Sequence, residues 1–251
     1  MLPDAIPFSS GVVVPFALEA AACVLYVTTP GEALPGVPTP ALGLPYPSVT
    51  GSEDGAAEKE KTKVLVVYGG ASSSGCMTTQ LAAASGIAVV AIASASSFGL
   101  CKAAGAATVV DRHDADVAGK VVAAVKRLLQ GDGDGDFVGI FDAIGTPETH
   151  AHDVAILTAL SGDGNNGTVH LACTHPPPTE GLPGNVKAGM IFAVNDAATP
   201  VWENFVTPAL KAGIIECLPP PTVVGAGLEF VQEALERCEK GVNGTKLVVH
   251  V

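Results

Sequence analysis

Residues 63–84 place a strand, a tight glycine turn and a helix directly after one another. The run Lys63-Val64-Leu65-Val66-Val67-Tyr68 is mostly β-branched and aliphatic, as in a buried strand, and it stops at Gly69-Gly70. Met77 and Leu81 then continue at helical spacing. Such a turn directs free backbone N–H groups and the positive end of a helix to one point, where a diphosphate can bind.

The glycine turn is not a complete dinucleotide fingerprint. The full motif has three glycines, and Ser72 or Ser73 stands here where the middle one would be. A turn of this kind also occurs without a nucleotide, simply to reverse the chain. The nucleotide interpretation is favoured because the residues that follow match half of a Rossmann fold.

Short apolar runs alternate with helical patterns from residue 63 onwards. This alternation predicts an α/β fold with a doubly wound parallel sheet of Rossmann type, whose ligand lies at the carboxyl ends of the strands. The last strand has no partner in such a sheet, so we expect it to belong to another unit. The predicted strands are 63–68, 88–93, 108–111, 137–143, 167–174 and 246–251; the predicted helices are 11–27, one through Met77 and Ala84, 97–104, 116–130, one from Thr146, 200–213 and one from Leu228 to Gly241.

The composition excludes several classes of function. Apolar residues make up 48% of the 251 residues and charged residues 15%, which is typical of a folded chain with a well-filled core. The net charge of −12 makes nucleic acid and anionic membranes unsuitable partners. The six scattered cysteines indicate a reducing compartment, so we expect a cytoplasmic protein.

The stretch 11–27 is apolar enough to suggest a membrane span. Pro15 and Glu19 interrupt it, and it is short for a bilayer. No basic region precedes it, so a signal peptide is not expected either. The sequence therefore predicts a buried helix.

No pattern of side chains indicates a metal site. His150 and His152 have the wrong spacing for two ligands on one helix face, and Cys173 and His175 have no evident third ligand. The acidic run 131–136 lacks the glycine and glutamate of a calcium loop and reads as a solvated turn. The sequence predicts that the chain holds no metal.

The end of the second predicted strand indicates which dinucleotide would bind. Proteins that bind NAD usually place Asp or Glu there to hold the ribose 2′-hydroxyl. Here the strand ends at Ala93 and is followed by Ser94, Ala95, Ser96 and Ser97, and Arg112 is near in sequence. Hydroxyls and a cation without a carboxylate favour NADP over NAD. The same serines could also cap the next helix, and both roles are compatible.

Several motifs in order make the chain resemble the zinc-free medium-chain dehydrogenase/reductases. The resemblance is closest to the fungal trans-acting enoyl reductases that serve polyketide synthases and to their quinone-oxidoreductase-like relatives. It covers nearly the whole chain. The motifs are Leu2-Pro3-Asp4, Val14–Leu18, Val64–Gly75, Ala93-Ser94 and Gly241–Val249.

The resemblance implies three parts of the chain. Residues 1–62 would be a linking helix and a Pro/Gly-rich excursion, residues 63–213 a Rossmann domain that binds NADP, and residues 214–251 a segment that returns to a GroES-like β domain. Residue 1 matches a point inside a full-length member. The resemblance therefore implies that most of the GroES-like domain, on the order of a hundred residues, is missing.

The resemblance also implies a set of binding residues. Glu19 stands with Ala20 where many relatives have Ser-Thr, and Arg112 stands where the family usually has Tyr. No catalytic residue is identified. The implied cofactor-binding residues are Gly69, Gly70, Ala71, Ser72, Ser73, Ser74, Ser94, Ala95, Ser96, Ser97, Arg112, Ala172, Cys173, Leu247 and Val248, with Thr174 nearby; the implied substrate-binding residues are Glu19, Ala20, Met190, Ile191, Phe192, Ala193 and Val194.

The function implied by the resemblance is NADPH-dependent reduction of an activated C=C bond. The substrate would be a small or carrier-bound molecule, either an enoyl thioester of a polyketide or a quinone, and a polyketide synthase is a possible partner. The alternative is a nucleotide-binding fragment or pseudoenzyme without turnover. A third hypothesis, a protein-interaction domain that binds no nucleotide, requires the glycine turn to be coincidental.

Overall fold

The structure is a computed structural model that describes residues 2–49, 62–130, 135–161, 167–193 and 195–251. Most of the acidic run 131–136, the charged half of the excursion before residue 62, and Val194 lie outside the described residues.

A six-stranded parallel sheet forms the centre of the molecule, with the strand order β5-β4-β3-β6-β7-β8. Two further pairs of strands, β1 with β2 and β9 with β10, stand apart from it. Strand β3 lies between β4 and β6, so the order reverses there and a crevice opens at the carboxyl ends of these strands. The elements are α1 (Phe8–Gly11), α2 (Val14–Tyr26), β1 (Glu32–Leu34), β2 (Val37–Pro38), β3 (Lys63–Tyr68), α3 (Ser73–Ala84), β4 (Ala88–Ala93), α4 (Phe98–Ala103), β5 (Thr108–Asp111), α5 (Val117–Gln130), β6 (Asp136–Asp142), α6 (Pro147–Ser161), β7 (Val169–Cys173), β8 (Val186–Met190), α7 (Thr199–Asn204), α8 (Val206–Ala212), β9 (Pro221–Ala226), α9 (Phe230–Glu239) and β10 (Lys246–His250).

The predicted doubly wound sheet is confirmed. Val64 to Tyr68 in β3 and Val89 to Ala93 in β4 are all buried, as continuous apolar runs in a sheet covered on both faces should be. Helices α2, α3 and α8 contribute to the core on one face of the sheet, and α5 and α6 contribute to the core on the other.

The edge strand β8 is not among the predicted strands. Its residues, Val186 to Met190, include a lysine and a glycine and do not form an apolar run. It forms because β7 offers an open edge, and because the turn β1–β2 packs closely against it. A Cβ on Gly189 would lie 2.4 Å from the carbonyl oxygen of Pro38, so only glycine allows this approach.

Helix α2 is a buried core helix, as predicted. Leu18 and Leu25 are fully buried, and α2 packs along α3. The stretch Phe8–Tyr26 is long and apolar enough to cross a membrane, and 61% of its most apolar window is buried inside the molecule.

The predicted helix 200–213 is two helices. Helix α7 ends at Asn204, and Phe205 has φ −115° with ψ −48°, a helical conformation distorted from the usual φ near −63°. The cause is Pro208. Proline has no backbone N–H to donate to the carbonyl of Asn204, and its ring would clash with that carbonyl in a continuous helix. Phe205 itself is buried and anchors the break in the core.

The C-terminal strand stands apart from the six-stranded sheet, as predicted. Strand β10 pairs in parallel with β9, and α9 connects them. Pro221, the last of three consecutive prolines, begins β9. Helix α9 has no buried residue, and Leu228 and Leu235 are 75% and 60% exposed. Assignment of this unit to a GroES-like domain stays a prediction.

Replacing Leu18 by Ala should lower the free energy of unfolding by about 2–5 kcal/mol, because it leaves a cavity between α2 and α3. Urea unfolding followed by circular dichroism measures this change. Leu235→Ala on exposed α9 is the matched control and should change stability by less than about 0.5 kcal/mol. Equal effects for the two variants would contradict the assignment of α2 to the core.

The buried cysteines should be inert towards thiol reagents in the folded protein. Burial raises the pKa of Cys76 to about 12 and of Cys101 to about 11, so both thiolates are scarce at neutral pH. Cys238 is exposed and should react with a disulfide reagent first. Cys238→Ser should remove that fast phase. A fast phase that persists in a variant lacking both Cys238 and the partly exposed Cys217 would show that a buried thiol is accessible.

Candidate functional site

The glycine turn after β3 has the backbone geometry that the sequence predicts. Gly69 has φ +77°, a conformation that glycine adopts without strain. Ser72 caps α3, and its Oγ accepts a hydrogen bond of 3.0 Å from the N–H of Gly75. A Cβ on Gly75 would lie only 2.2 Å from the carbonyl oxygen of Gly69, so the helix approaches the strand end as closely as backbone allows.

Only part of the turn offers free N–H groups. The amides of Gly69 and Gly70 both donate to the carbonyl of Ile92 at 3.0 Å, and the amide of Ser72 donates to Gly69. Ser73 and Ser74 are the first two residues of α3, where backbone N–H groups have no partner inside the helix. The amides without a helical partner at this end of α3 are therefore those of Ser73 and Ser74, while the two glycines shape the turn.

A polar cavity of about 510 Å³ lies beside this turn at the carboxyl ends of β3, β4 and β6. Its size is within the range of ligand pockets. Five of the residues predicted to bind the cofactor line it, namely Gly69, Ala71, Ser72, Ser94 and Arg112, whereas Gly70, Ser73 and Ser74 do not. Residues that the sequence analysis did not select also line it, notably Glu148 at the start of α6 and the loop 240–244.

Arg112 and Ser94 form one polar unit at the rim of the polar cavity. Arg112 Nε donates to Ser94 Oγ at 3.0 Å, which joins the ends of β5 and β4. This bond uses one N–H of the guanidinium group and leaves the outer nitrogens for an anion. The two residues that the sequence analysis linked to a 2′-phosphate are thus adjacent.

The serines after Ser94 face the C-terminal loop. Ser97 Oγ donates to Asn243 Oδ1 at 3.0 Å, and Asn243 Nδ2 donates to Ser96 Oγ at 3.2 Å. Ser97 is buried and Ala95 begins a short 3₁₀ turn. Asn243 lines the cavity and is 146 positions away from Ser97 in the chain. No local sequence pattern could have revealed this contact.

Lys246 reaches the N-terminus of α3 from the other side. Its Nζ lies 3.4 Å from Ser73 Oγ and 5.6 Å from the centre of the Phe16 ring. Burial lowers its pKa. A cation at this end of a helix adds to the attraction for a diphosphate.

Ala172 and Cys173, predicted near the nicotinamide, are fully buried at the end of β7. Cys173 faces a polar cluster under α6 that contains Asp142, His150 and Asp153. Burial and then Asp142 raise the pKa of the Cys173 thiol, and the same two causes raise the pKa of Asp153 well above its usual value. Of the predicted neighbours, Thr174 is partly exposed beside this cluster.

The predicted substrate residues lie in two places. Met190 is the last residue of β8, and Ile191, Phe192 and Ala193 follow it. The carbonyl of Phe192 accepts hydrogen bonds from Cys23 and Asn195. Glu19 Oε1 accepts a hydrogen bond of 2.6 Å from the Trp202 indole, and Ala20 is buried in the core.

Leu247 and Val248 lie in β10, outside the polar cavity. Val248 lines a separate apolar groove of about 850 Å³ with Phe8, Pro15 and Trp202. The polar cavity thus brings Gly69, Ala71, Ser72, Ser94 and Arg112 together, whereas Leu247 and Val248 lie elsewhere.

Comparison with known proteins gives a consistent result. The dehydrogenase orsE of Emericella nidulans is 57% identical over all 251 residues, which cover 67% of its length. The trans-enoyl reductase himH of Aspergillus japonicus is 32% identical over 100% of this chain and 64% of its own. The chain thus spans about two thirds of the length of these relatives. No protein-family model matches the sequence.

Solved structures share the fold. The CurK enoyl reductase superposes with a TM-score of 0.65 at 13% identity, over 99% of this chain and 64% of that one. A mycobacterial protein in complex with NADPH superposes with a TM-score of 0.59 at 17% identity, over 100% of this chain and 67% of that one. Together with the fungal relatives, this shows that the chain belongs to the medium-chain dehydrogenase/reductase family, among the fungal dehydrogenases and trans-enoyl reductases.

Proposed function

We propose that this protein is an NADPH-dependent oxidoreductase that reduces an activated carbon–carbon double bond. The observation that carries the proposal is the capped N-terminus of α3 beside the Ser94–Arg112 pair, at the switch point of the sheet. The first feature suits a diphosphate and the second a 2′-phosphate. Family membership supports an oxidoreductase.

The residues present fit NADPH better than NADH. No carboxylate follows β4, where Ser94 stands, and Arg112 offers a fork of N–H donors that matches a phosphate. A structural neighbour solved with NADPH supports the same cofactor. Ser96 and Ser97 would hold this loop, which includes Ala95, in place through their hydrogen bonds with Asn243.

The chain would bind and orient the cofactor, which supplies the hydride for the reaction. Ser73, Ser74 and Lys246 would hold the diphosphate, and Ala172 to Thr174 would border the nicotinamide. The segment 190–194, with Glu19 and Ala20, would border the substrate. These assignments of cofactor and substrate contacts follow the family resemblance. The same resemblance supports the proposal that residues 63–213 form the NADP-binding domain, with a linking segment before it and a returning C-terminal unit after it.

The proposed substrate is an enoyl thioester, carrier-bound or small, or a quinone. The name of himH, a trans-enoyl reductase, supports the first class, and the structural neighbours include quinone oxidoreductases. A polyketide synthase as partner and a cytoplasmic location are parts of the same proposal.

Fluorescence titration of the protein with NADPH and NADH, followed by an assay with enoyl thioesters and quinones, tests the function. Binding of NADPH with turnover of either substrate supports the proposal. Binding without turnover on any of them would favour the alternative, a nucleotide-binding protein without catalysis. Absence of binding would overturn both.

Replacing Arg112 by Ala should weaken NADPH binding by about 1–3 kcal/mol, because a charge-assisted hydrogen bond to the 2′-phosphate is lost. NADH binding should hardly change, and titration of both cofactors measures the difference. Arg127→Ala is the control, because Arg127 bonds Thr108 at the opposite end of β5. Equal losses for NADPH and NADH would show that Arg112 does not contact the phosphate.

Replacing Gly69 by Val should abolish dinucleotide binding and leave a folded protein. Its Cβ would come within 2.7 Å of Ile144 and enter the polar cavity. Gly86→Val is a matched control, since Gly86 has φ +76° and open space around its Cβ, so both variants carry the same backbone strain of about 1–3 kcal/mol. The prediction fails if Gly69→Val binds NADPH as well as Gly86→Val does.

A further inference from the structure

Asp153 on α6 is a carboxyl group buried without a hydrogen-bond donor. It is 0% exposed, and within the described residues neither of its oxygens accepts a hydrogen bond. Its carboxyl pairs with the carboxyl of Asp142, at the end of β6. A charge buried in this way is strongly unfavourable, so such a group takes up a proton instead.

Asp142 has the donors that Asp153 lacks. Its Oδ1 accepts hydrogen bonds from the amides of Ile144 and Gly145 at 2.8 and 3.0 Å, and its Oδ2 accepts one from Thr149 Oγ1 at 2.6 Å. Three donors favour the ionised form of a carboxyl, and two carboxyls that share a buried site do not both ionise. The proton of the pair therefore belongs to Asp153.

The donors on Asp142 come from one wall of the polar cavity, residues 144–149. Ile144, Thr146 and Thr149 all line the cavity. The amide of Thr146 donates in turn to Thr149 Oγ1 at 3.0 Å. The position of this 144–149 wall thus depends on how firmly the Asp142 carboxylate is held.

We propose that Asp153 is a positioning residue of the polar cavity, which keeps its proton in the folded protein and donates it to Asp142. The resulting hydrogen bond joins α6 to the end of β6 and keeps Asp142 in the orientation that holds the 144–149 wall. Loss of the proton would place two like charges side by side in the core, where they repel each other. The consequence for NADPH rests on the proposed function, whereas the consequence for the wall does not.

The groups that face the pair do not supply a competing charge for Asp153. Burial, and then the charge of Asp153, raise the pKa of Tyr68 on β3 to about 12, and Cys173 on β7 is a buried thiol with a raised pKa. His150 Nε2 lies 3.7 Å from Asp142 Oδ2. Helix α5 packs against α6 and adds apolar side chains to the same core. Further out lie Glu148 and Arg112, which act on Tyr68, and His175, which packs against Gly145.

Asp153→Asn tests where the proton is, because Asn keeps the shape and donates an N–H but does not titrate. Above about pH 4 the unfolded Asp153 has released its proton while the folded one keeps it. The unfolding equilibrium constant of the wild type should therefore rise about tenfold per pH unit relative to that of the variant, up to neutral pH. Urea unfolding at several pH values measures this slope.

Two further measurements secure the assignment of the proton. The infrared spectrum of the wild type at neutral pH should contain the carbonyl band of a protonated carboxyl, and Asp153→Asn should lack it. His150→Gln is the control for the other titrating neighbour of Asp142 and should keep the wild-type slope. Parallel pH curves for the wild type and Asp153→Asn would overturn the proposal.

Hydrogen exchange of the 144–149 wall, followed by mass spectrometry, tests the positioning role. Asp153→Leu removes the donor, so the amides of Ile144 and Gly145 should exchange roughly tenfold faster or more, while Asp153→Asn should keep the wild-type rate. Leu160→Ala is the matched control, because it leaves a cavity at another buried position of α6. The increase should exceed any increase in this control. Equal exchange in Asp153→Leu and Asp153→Asn would overturn the role, and the unfolding slope keeps the test decisive if Asp153→Leu does not fold.

Titration with NADPH separates this inference from the proposed function. Asp153→Leu should bind NADPH more weakly than the wild type, and Asp153→Asn should bind it within about twofold of the wild type. Unchanged affinity in a folded Asp153→Leu would overturn the effect on the cofactor. A wild type that binds no NADPH would overturn the proposed function, and the exchange and unfolding measurements would still decide the role of Asp153.

Discussion

The close approach of α3 to the end of β3 is the constraint on which the crevice depends. The carbonyl of Gly69 occupies the space where any side chain at residue 75 would begin, 2.2 Å from the position of a Cβ. This contact fixes the N-terminus of α3 against the strand end, and Ser72 secures it by capping the helix. Because α3 also packs along α2, the apolar helix α2 supports α3 and, through it, the position of the turn.

The polar cavity is completed by residues remote in sequence. Asn243 bonds two serines of the loop after β4, and Lys246 lies against the start of α3. The small unit formed by β9, α9 and β10 therefore reaches the site although it shares no sheet with it. Its hydrogen bonds to the site are partly exposed, which suits a segment that closes a binding cavity rather than one that builds the core.

The other side of the crevice is built on buried polar groups. Asp142 holds the loop 144–145 through two amides and Thr149 through a hydroxyl, while Asp153 and Cys173 stay inside without comparable bonds. Buried polar groups of this kind hold a single arrangement when they are satisfied and weaken the fold when they are not. The cluster thus links the stability of the sheet to the shape of the cavity wall.

The doubly wound sheet and the glycine turn can both be predicted from the sequence, because each depends on a local pattern. Apolar runs of strand length and one glycine pair suffice for β3 to β7 and the start of α3. The adjacency of Ser94 and Arg112 also followed, since parallel strands end at the same edge. The edge strand β8, the β9–β10 pair and the meetings of Asn243 with Ser97 and of Asp142 with Cys173 come from the tertiary structure alone. The physical reason is that these features depend on an open strand edge or on side chains brought together by packing, and neither leaves a periodic pattern in the chain.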